Sequence, residues 1–264
     1  MRSLLLRCVL VMAVWLPLAA QAGRSCDAEQ PPRAETVLRG LRLAERTLAA
    51  LDASGADVVV LARAGQDLSR HGLRYSHLGF AFRTPDGRGW HVLHKLNQCG
   101  TAEGDLYEQG LGPFFLDDLW RHEAAWTVPT PAVQARLLPL LRDRARAIRL
   151  QHRPYSLVSH AWSQRYQQSN QWAIETLALA MDESVASREQ AQAWLRLRGY
   201  EPTVLRVDAM TRLGGRIASA NVAFDDHPLG ERMAGRIATV TVDSVFDWLQ
   251  RAALAGPPVR LAQE

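Results

Sequence analysis

Two alternating segments joined by a turn cluster constrain this chain more than any other feature. Residues 74–83 (RYSHLGFAFR) and 90–96 (WHVLHKL) alternate apolar and polar side chains, the period of a half-buried strand. Between them Thr84-Pro-Asp-Gly-Arg-Gly89 collects residues that favour turns. Residues 74–96 therefore predict a β-hairpin. A hairpin alone is marginal in water, so further strands or helices must cover its apolar face.

The remaining periodicity supplies them. A helix is predicted over 34–53, with Val37, Leu38, Leu41, Leu48 and Leu51 near one face. Strands are predicted over 57–62 and 123–128, a helix dense in Arg and Leu over 131–150, and a strongly apolar helix over 170–181. Ser187 with Gln190 makes a capping box for another helix, which Gly199 ends. Strands over 203–207 and 237–242 and a helix over 244–253 follow, whereas 97–112 reads as Gly-rich loop. Trp120, Trp126, Trp162, Trp172, Trp194 and Trp248 are core candidates. No repeat, low-complexity segment or Gly/Ser linker divides the chain. The expectation is one α+β domain over 23–264.

Residues 1–22 have the plan of a secretory signal. Arg2 and Arg7 precede an apolar run over 9–18, and Ala20-Gln21-Ala22 is a small-x-small cleavage site before Gly23. That run is too short to span a bilayer, and no later segment approaches the apolar length a membrane helix needs. An uncut anchor is the alternative. The expectation is a periplasmic or secreted protein with no integral membrane segment once the signal is removed. Losing Arg2 and Arg7 takes the formal charge from +4 to +2, too small a surplus to argue for nucleic acid. At 47% hydrophobic and 22% charged residues, the composition excludes a disordered tail and a disulfide miniprotein. Lys95 is the single lysine.

Of the three cysteines, Cys8 leaves with the signal. Cys26 and Cys99 then form an even pair in an oxidising compartment, and a bridge between them would contribute about 4 kcal/mol by loop entropy. Two buried free thiols are the alternative. No CxxC or second Cys/His pair is spaced to complete a metal site.

Two segments could carry chemistry. On the hairpin, residues of equal parity share a face. With Arg83 opposite Trp90, His77 falls diagonal to His94, within side-chain reach, as a general base and its orienting partner. His91 points the other way. The second segment is 166–172 (YQQSNQW), where Ser169 heads the apolar helix and the N–H groups around Asn170 favour a developing anion. Ser169 equally suits a helix N-cap, and the histidines equally suit half-buried strand positions. Asp117, Asp118, His122 and Glu123, and likewise Asp225, Asp226 and His227, could hold a cation, but Asp in such settings commonly serves turns and caps. No metal is expected. No Walker loop, dinucleotide fingerprint or Gly-x-Ser-x-Gly elbow occurs, so no cofactor is expected either.

The strand Tyr75-Ser-His77-Leu-Gly-Phe-Ala resembles the "His-x-Gly-Ile" strand of papain-like hydrolases of the NlpC type. Val-Leu-His94 resembles their "Ile-His-Ala" strand, which carries the third polar residue. Gln168-Ser169-Asn-Gln-Trp172 resembles the "Asn-Cys-x-x-Phe/Trp" helix start of their circularly permuted relatives, the lecithin retinol acyltransferase-like enzymes. The resemblance spans roughly 56–182. It implies a papain-like, NlpC-like, circularly permuted α+β fold, an antiparallel sheet packed on helices. The mature chain is also similar to an uncharacterised bacterial family, domain of unknown function 2145, through RYSHLGFAFR, HKLNQCGT, GPFFLDD, QQSNQWAIE and ANVAFDDHP.

Ser169 stands where the papain-like nucleophile is cysteine. A cysteine can be held as a thiolate, whereas a serine keeps its proton until a base removes it. Two readings follow. In one, an amide or ester hydrolase or acyltransferase uses Ser169 as nucleophile, His77 as base, His94 as orienter and the N–H groups at Asn170 for the oxyanion. The resemblance and the compartment imply peptidoglycan stem peptides as its substrates. In the other, the cleft binds an envelope peptide, a lipid or a protein without chemistry.

Overall fold

Alternation in the hairpin segments carries directly into paired strands. β2 (His77–Arg83) and β3 (Trp90–Asn97) run antiparallel with Arg83 opposite Trp90 and Phe80 opposite Leu93, the predicted register. The computed structural model describes residues 32–117 and 119–262. The expected signal (1–22), Cys26 and Asp118 lie outside the described residues.

β1 (Val58–Ala64) pairs with β2, and β5 (Arg121–Thr127) pairs with β1. β4 (Gly104–Gly110) pairs with β3, and β8 (Val259–Ala262) with β5. All these pairs are antiparallel and give one six-stranded sheet, in the order β4-β3-β2-β1-β5-β8. β6 (Thr203–Arg206) and β7 (Arg236–Thr239) form a separate two-stranded ribbon.

Both faces of the large sheet are covered, and strand parity decides which residue faces which layer. Val58, Val60, Leu78, Phe80 and Phe82 join one apolar cluster with residues of α3 (Pro131–Arg142), α5 (Ser169–Met181), α6 (Arg188–Leu197) and α9 (Val242–Arg251). Val59, Leu61, Ala81, Trp90 and Val92 join a second cluster with α1 (Ala34–Ala53) and α2 (Leu111–Leu116). α5 lies deepest: every residue from Ser169 to Ala180 is buried. An all-round apolar helix of this kind belongs inside a structure, and Trp172 meets Phe80 edge-on at 5.9 Å. Among the described residues no helix is long and apolar enough to cross a membrane.

Several elements differ from the expectation. The residues of α1 that face inward are Gly40, Leu43, Ala44, Thr47 and Leu51, while Leu38, Leu41 and Leu48 are exposed. The contact surface uses small residues: a Cβ on Gly40 would lie 2.9 Å from the Phe115 carbonyl oxygen. The segment 97–112, read as loop, contains β4 and the start of α2. β4 is an edge strand that buries only Gly104 and Leu106, so it shows no apolar alternation. The helix over 131–150 breaks at Asp143, whose carboxylate accepts from the N–H groups of Ala145 and Arg146 and caps the short α4 (Arg144–Ala147). α7 (Ala209–Ala218), α8 (Leu229–Met233) and β8 lie outside the predicted elements. Trp120 is exposed rather than in the core.

Candidate active site

The first turn of α5 shows how its leading residues are used. Gln168, not Ser169, is the N-cap: its Oε1 accepts from the Asn170 N–H at 3.0 Å, and its Nε2 donates to the Val240 carbonyl. Asn170 was expected to offer that N–H to an oxyanion; the Gln168 amide occupies it. The Asn170 side chain does something else. Its Oδ1 accepts from the Leu78 N–H at 3.0 Å and its Nδ2 donates to Val240 O at 3.2 Å, which staples the start of β2 to the helix.

That staple brings His77 to Ser169. Ser169 is 3% exposed, and its Oγ lies 3.1 Å from His77 Nδ1. His77 Nε2 lies 2.8 Å from His94 Nδ1, and His94 Nε2 lies 3.0 Å from Gln109 Oε1. Four side chains from α5, β2, β3 and β4 thus form one continuous chain of hydrogen bonds. Gly79 makes room for it, because a Cβ there would sit 2.7 Å from the His94 Cβ and 2.9 Å from Leu93 O. Phe114 packs against both imidazoles, with ring centroids 6.1 and 5.1 Å away.

The electrostatics keep both rings neutral. Burial, the Arg63 guanidinium and the neighbouring His94 hold His77 well below the usual histidine range. Burial and Arg63 lower His94 to about 4, against the opposing effect of its hydrogen bond to the Gln109 amide oxygen. Arg63 is itself buried on β1, ion-paired with Asp117, bonded to the Phe114 carbonyl and stacked 4.7 Å from the Phe114 ring centroid. Such a cation penalises an added proton on either histidine.

The chain opens on a cavity of about 400 Å³ whose wall includes Arg63, His77, Asn97, Asp117, Tyr155 and Ser169. Tyr155 is buried, which pushes its phenol up, and it interacts with both the hydroxyl and the backbone of Ser169, which act the other way. Beneath it lies the single lysine. Lys95 is fully buried, donates to the His152 carbonyl and to Gln167 Oε1 at 2.9 Å, and lies 5.9 Å from the centre of the Tyr155 ring. Burial first and Arg188 second lower its pKa to about 7. Gln167 links it to Glu175 at 2.6 Å, and Glu175 pairs with Arg188 at 2.8 Å, all buried. Cys99 also lines the cavity.

His77 and His94 therefore meet as the hairpin register predicts, and Ser169, from outside the hairpin, meets them at His77. Gln109, Tyr155, Arg63 and Asp117 join them without having been singled out as partners. Gln109 lay in a stretch read as loop; the Gly104–Leu106 pattern is the only trace of its strand. The other polar clusters bind the protein's own donors. Glu123 accepts from Arg74 at 2.6 and 2.8 Å, and His122 turns to the backbone of Thr36. Asp225 accepts from the Tyr166 hydroxyl at 3.1 Å; Asp226 accepts from the His160 N–H at 2.8 Å and contacts His227 Nδ1 at 3.0 Å. Among the described residues no three His, Cys, Asp or Glu side chains are grouped to hold a metal ion. His91 faces away from His94 and bonds Glu108.

Fold and site together define an α+β protein with a buried Ser–His–His hydrogen-bond chain opening on a cavity of mixed polar and apolar lining. The chain belongs to the family described as uncharacterized protein conserved in bacteria (DUF2145), whose model matches residues 50–249 and so spans the whole hydrogen-bond chain. No curated protein and no solved structure matches it.

Proposed function

We propose that this protein is an exported amide or ester hydrolase of papain-like, circularly permuted architecture, with Ser169 as nucleophile. The continuous contact Ser169–His77–His94 carries the reading. A neutral imidazole against a hydroxyl is the pairing that general-base activation of serine requires. Ser169 Oγ attacks the substrate carbonyl while its proton passes to His77 Nδ1. His94 Nδ1 accepts from His77 Nε2–H and stabilises the imidazolium. The Tyr155 phenol O–H, itself held by the Ser169 backbone, receives the oxyanion. The proton on His77 then goes to the leaving group, and water, activated by the same imidazole, releases the acyl group from Ser169.

The composition of residues 1–22 supports export, and cell-envelope peptides such as peptidoglycan stems are the substrate class we assign. A Cys26–Cys99 disulfide belongs to the same reading, since both residues would share an oxidising compartment.

A fluorophosphonate probe tests it. Wild-type protein should be labelled at Ser169 and Ser169→Ala should not. If folded wild type takes no label and releases nothing from muropeptides or esters, the catalytic reading fails. The cleft is then a binding module of the cell envelope, a reading that fits the imidazole of His94 in the position where serine triads hold a carboxylate.

A further inference from the structure

We propose that Gln109 fixes the direction in which the Ser169–His77–His94 chain donates its hydrogen bonds. As a positioning role for the hydrolase, this rests on the catalytic reading above; as a statement about tautomers, it does not. A neutral imidazole carries one N–H and one bare nitrogen, so a chain of two imidazoles has two opposite polarities. In the first, Gln109 presents Oε1 and His94 Nε2–H donates to it, as the 3.0 Å contact is arranged. His94 Nδ1 is then bare and accepts from His77 Nε2–H at 2.8 Å. His77 Nδ1 is bare in turn, and at 3.1 Å it faces the Ser169 hydroxyl as an acceptor. In the second, the amide is turned and its NH₂ donates to His94 Nε2. Every bond reverses, and His77 presents an N–H to Ser169 that can take no proton.

Register explains why Gln109 can do this. Val92 lies opposite Gln109 and His94 opposite Tyr107, so Gln109 shares the face of His94 one diagonal step away. Its chemistry also fits the surroundings. An amide oxygen accepts as a carboxylate does but adds no charge, so it orders the tautomers and raises the histidine less than a carboxylate would, leaving burial and Arg63 to keep the ring neutral. When Ser169 attacks, a single proton moves, from Oγ to His77 Nδ1. His77 Nε2–H stays where it is, held by His94.

Nitrogen NMR of the full chain labelled with ring-15N histidine reads the polarity directly, without substrate. His77→Gln and His94→Gln variants assign the two rings. In wild type at neutral pH both rings should be protonated on Nε2 and bare on Nδ1. Gln109→Leu should lose that single pattern and spread both rings over two tautomers, with probe labelling of Ser169 slowed by about tenfold as the His94 donor is orphaned. Gln109→Glu, which keeps an acceptor in place, should retain the wild-type pattern. A wild-type His77 protonated on Nδ1 would overturn the proposal, as would unchanged tautomers in Gln109→Leu. The hydrolase reading fails separately: the predicted tautomers in a protein whose Ser169 takes no label would leave Gln109 its role and remove the reaction.

Discussion

Ser169 Oγ and His77 Nδ1 lie 3.1 Å apart across 92 residues of chain. The first residue of a helix meets the first residue of a strand, and Asn170, next to Ser169, bonds the backbone N–H of Leu78, next to His77. Ser169→Ala removes only the hydroxyl. It should abolish covalent labelling yet cost no more than about 1 kcal/mol of stability, the usual size of one lost hydrogen bond. Matched urea unfolding of the two proteins checks this; a loss several times larger would mean that Ser169 serves the fold.

The pH dependence of labelling should follow the depressed histidines. The base must be unprotonated to accept from Ser169, and both rings are held below 6.5. The acid limb of the labelling rate should therefore lie well below pH 6.5. Stability should follow the same groups. The unfolded chain takes up protons near 6.5 that the folded protein refuses, so stability falls as pH drops through 6.5 and continues to fall toward 4. A labelling limb at or above 6.5 would contradict the buried, neutral pair.

Lys95 acts in a different window. Its folded pKa is about 7 against 10.5 when unfolded. Between these values the unfolded chain binds a proton that the native state does not, so native stability rises with pH, by up to ~1.4 kcal/mol per unit. Lys95→Met should flatten that rise. Urea midpoints for both proteins from pH 7 to 9.5 would show it, and parallel curves would count against a titrating ammonium at this position.

Gly79 is the close approach on which the histidine pair depends. Gly79→Ala should destabilise by about 1–3 kcal/mol, the range for overpacking, because the clash is with His94 Cβ and a backbone oxygen that cannot swing aside. It should also slow labelling by displacing His94. Gly214→Ala, where a Cβ meets nothing within 4 Å, is the matched control on α7 and should be neutral or stabilising.

If the protein is exported as proposed, a disulfide between Cys26 and Cys99 would tie the segment around residue 26 to the rim of the cavity. Peptide mapping of exported protein with and without reduction should show the two cysteine peptides linked, with a mass gain on alkylation after reduction only. Alkylation of both thiols in the unreduced, denatured protein would remove the bridge.

Strict alternation made the hairpin legible, and with it the meeting of His77 and His94. The apolar run after Ser169 likewise revealed α5, because a helix buried on every side needs no polar stripe. Gln109 was not legible, since β4 is an edge strand whose outward residues are polar and whose ladder is set by β3. Arg63 hides within VVVLARA, where a charge on a buried strand is offset by partners such as Asp117 and the Phe114 carbonyl, neither near it in sequence. On α1 the predicted face shares only Leu51 with the buried one: Gly40, Ala44 and Thr47 pack beside Leu43, and small side chains interrupt the large-residue stripe. Gln168 displaced Ser169 as cap through its tie to Val240, 72 residues away.

The interior location of the single ε-amine has a practical corollary. Amine-directed cross-linkers, succinimidyl dyes and lysine-specific proteases would find no side-chain target on the folded molecule, since Lys95 has no exposed surface. Reaction at that amine would instead report opening of the layer beneath Tyr155, a built-in gauge of local unfolding next to the cavity.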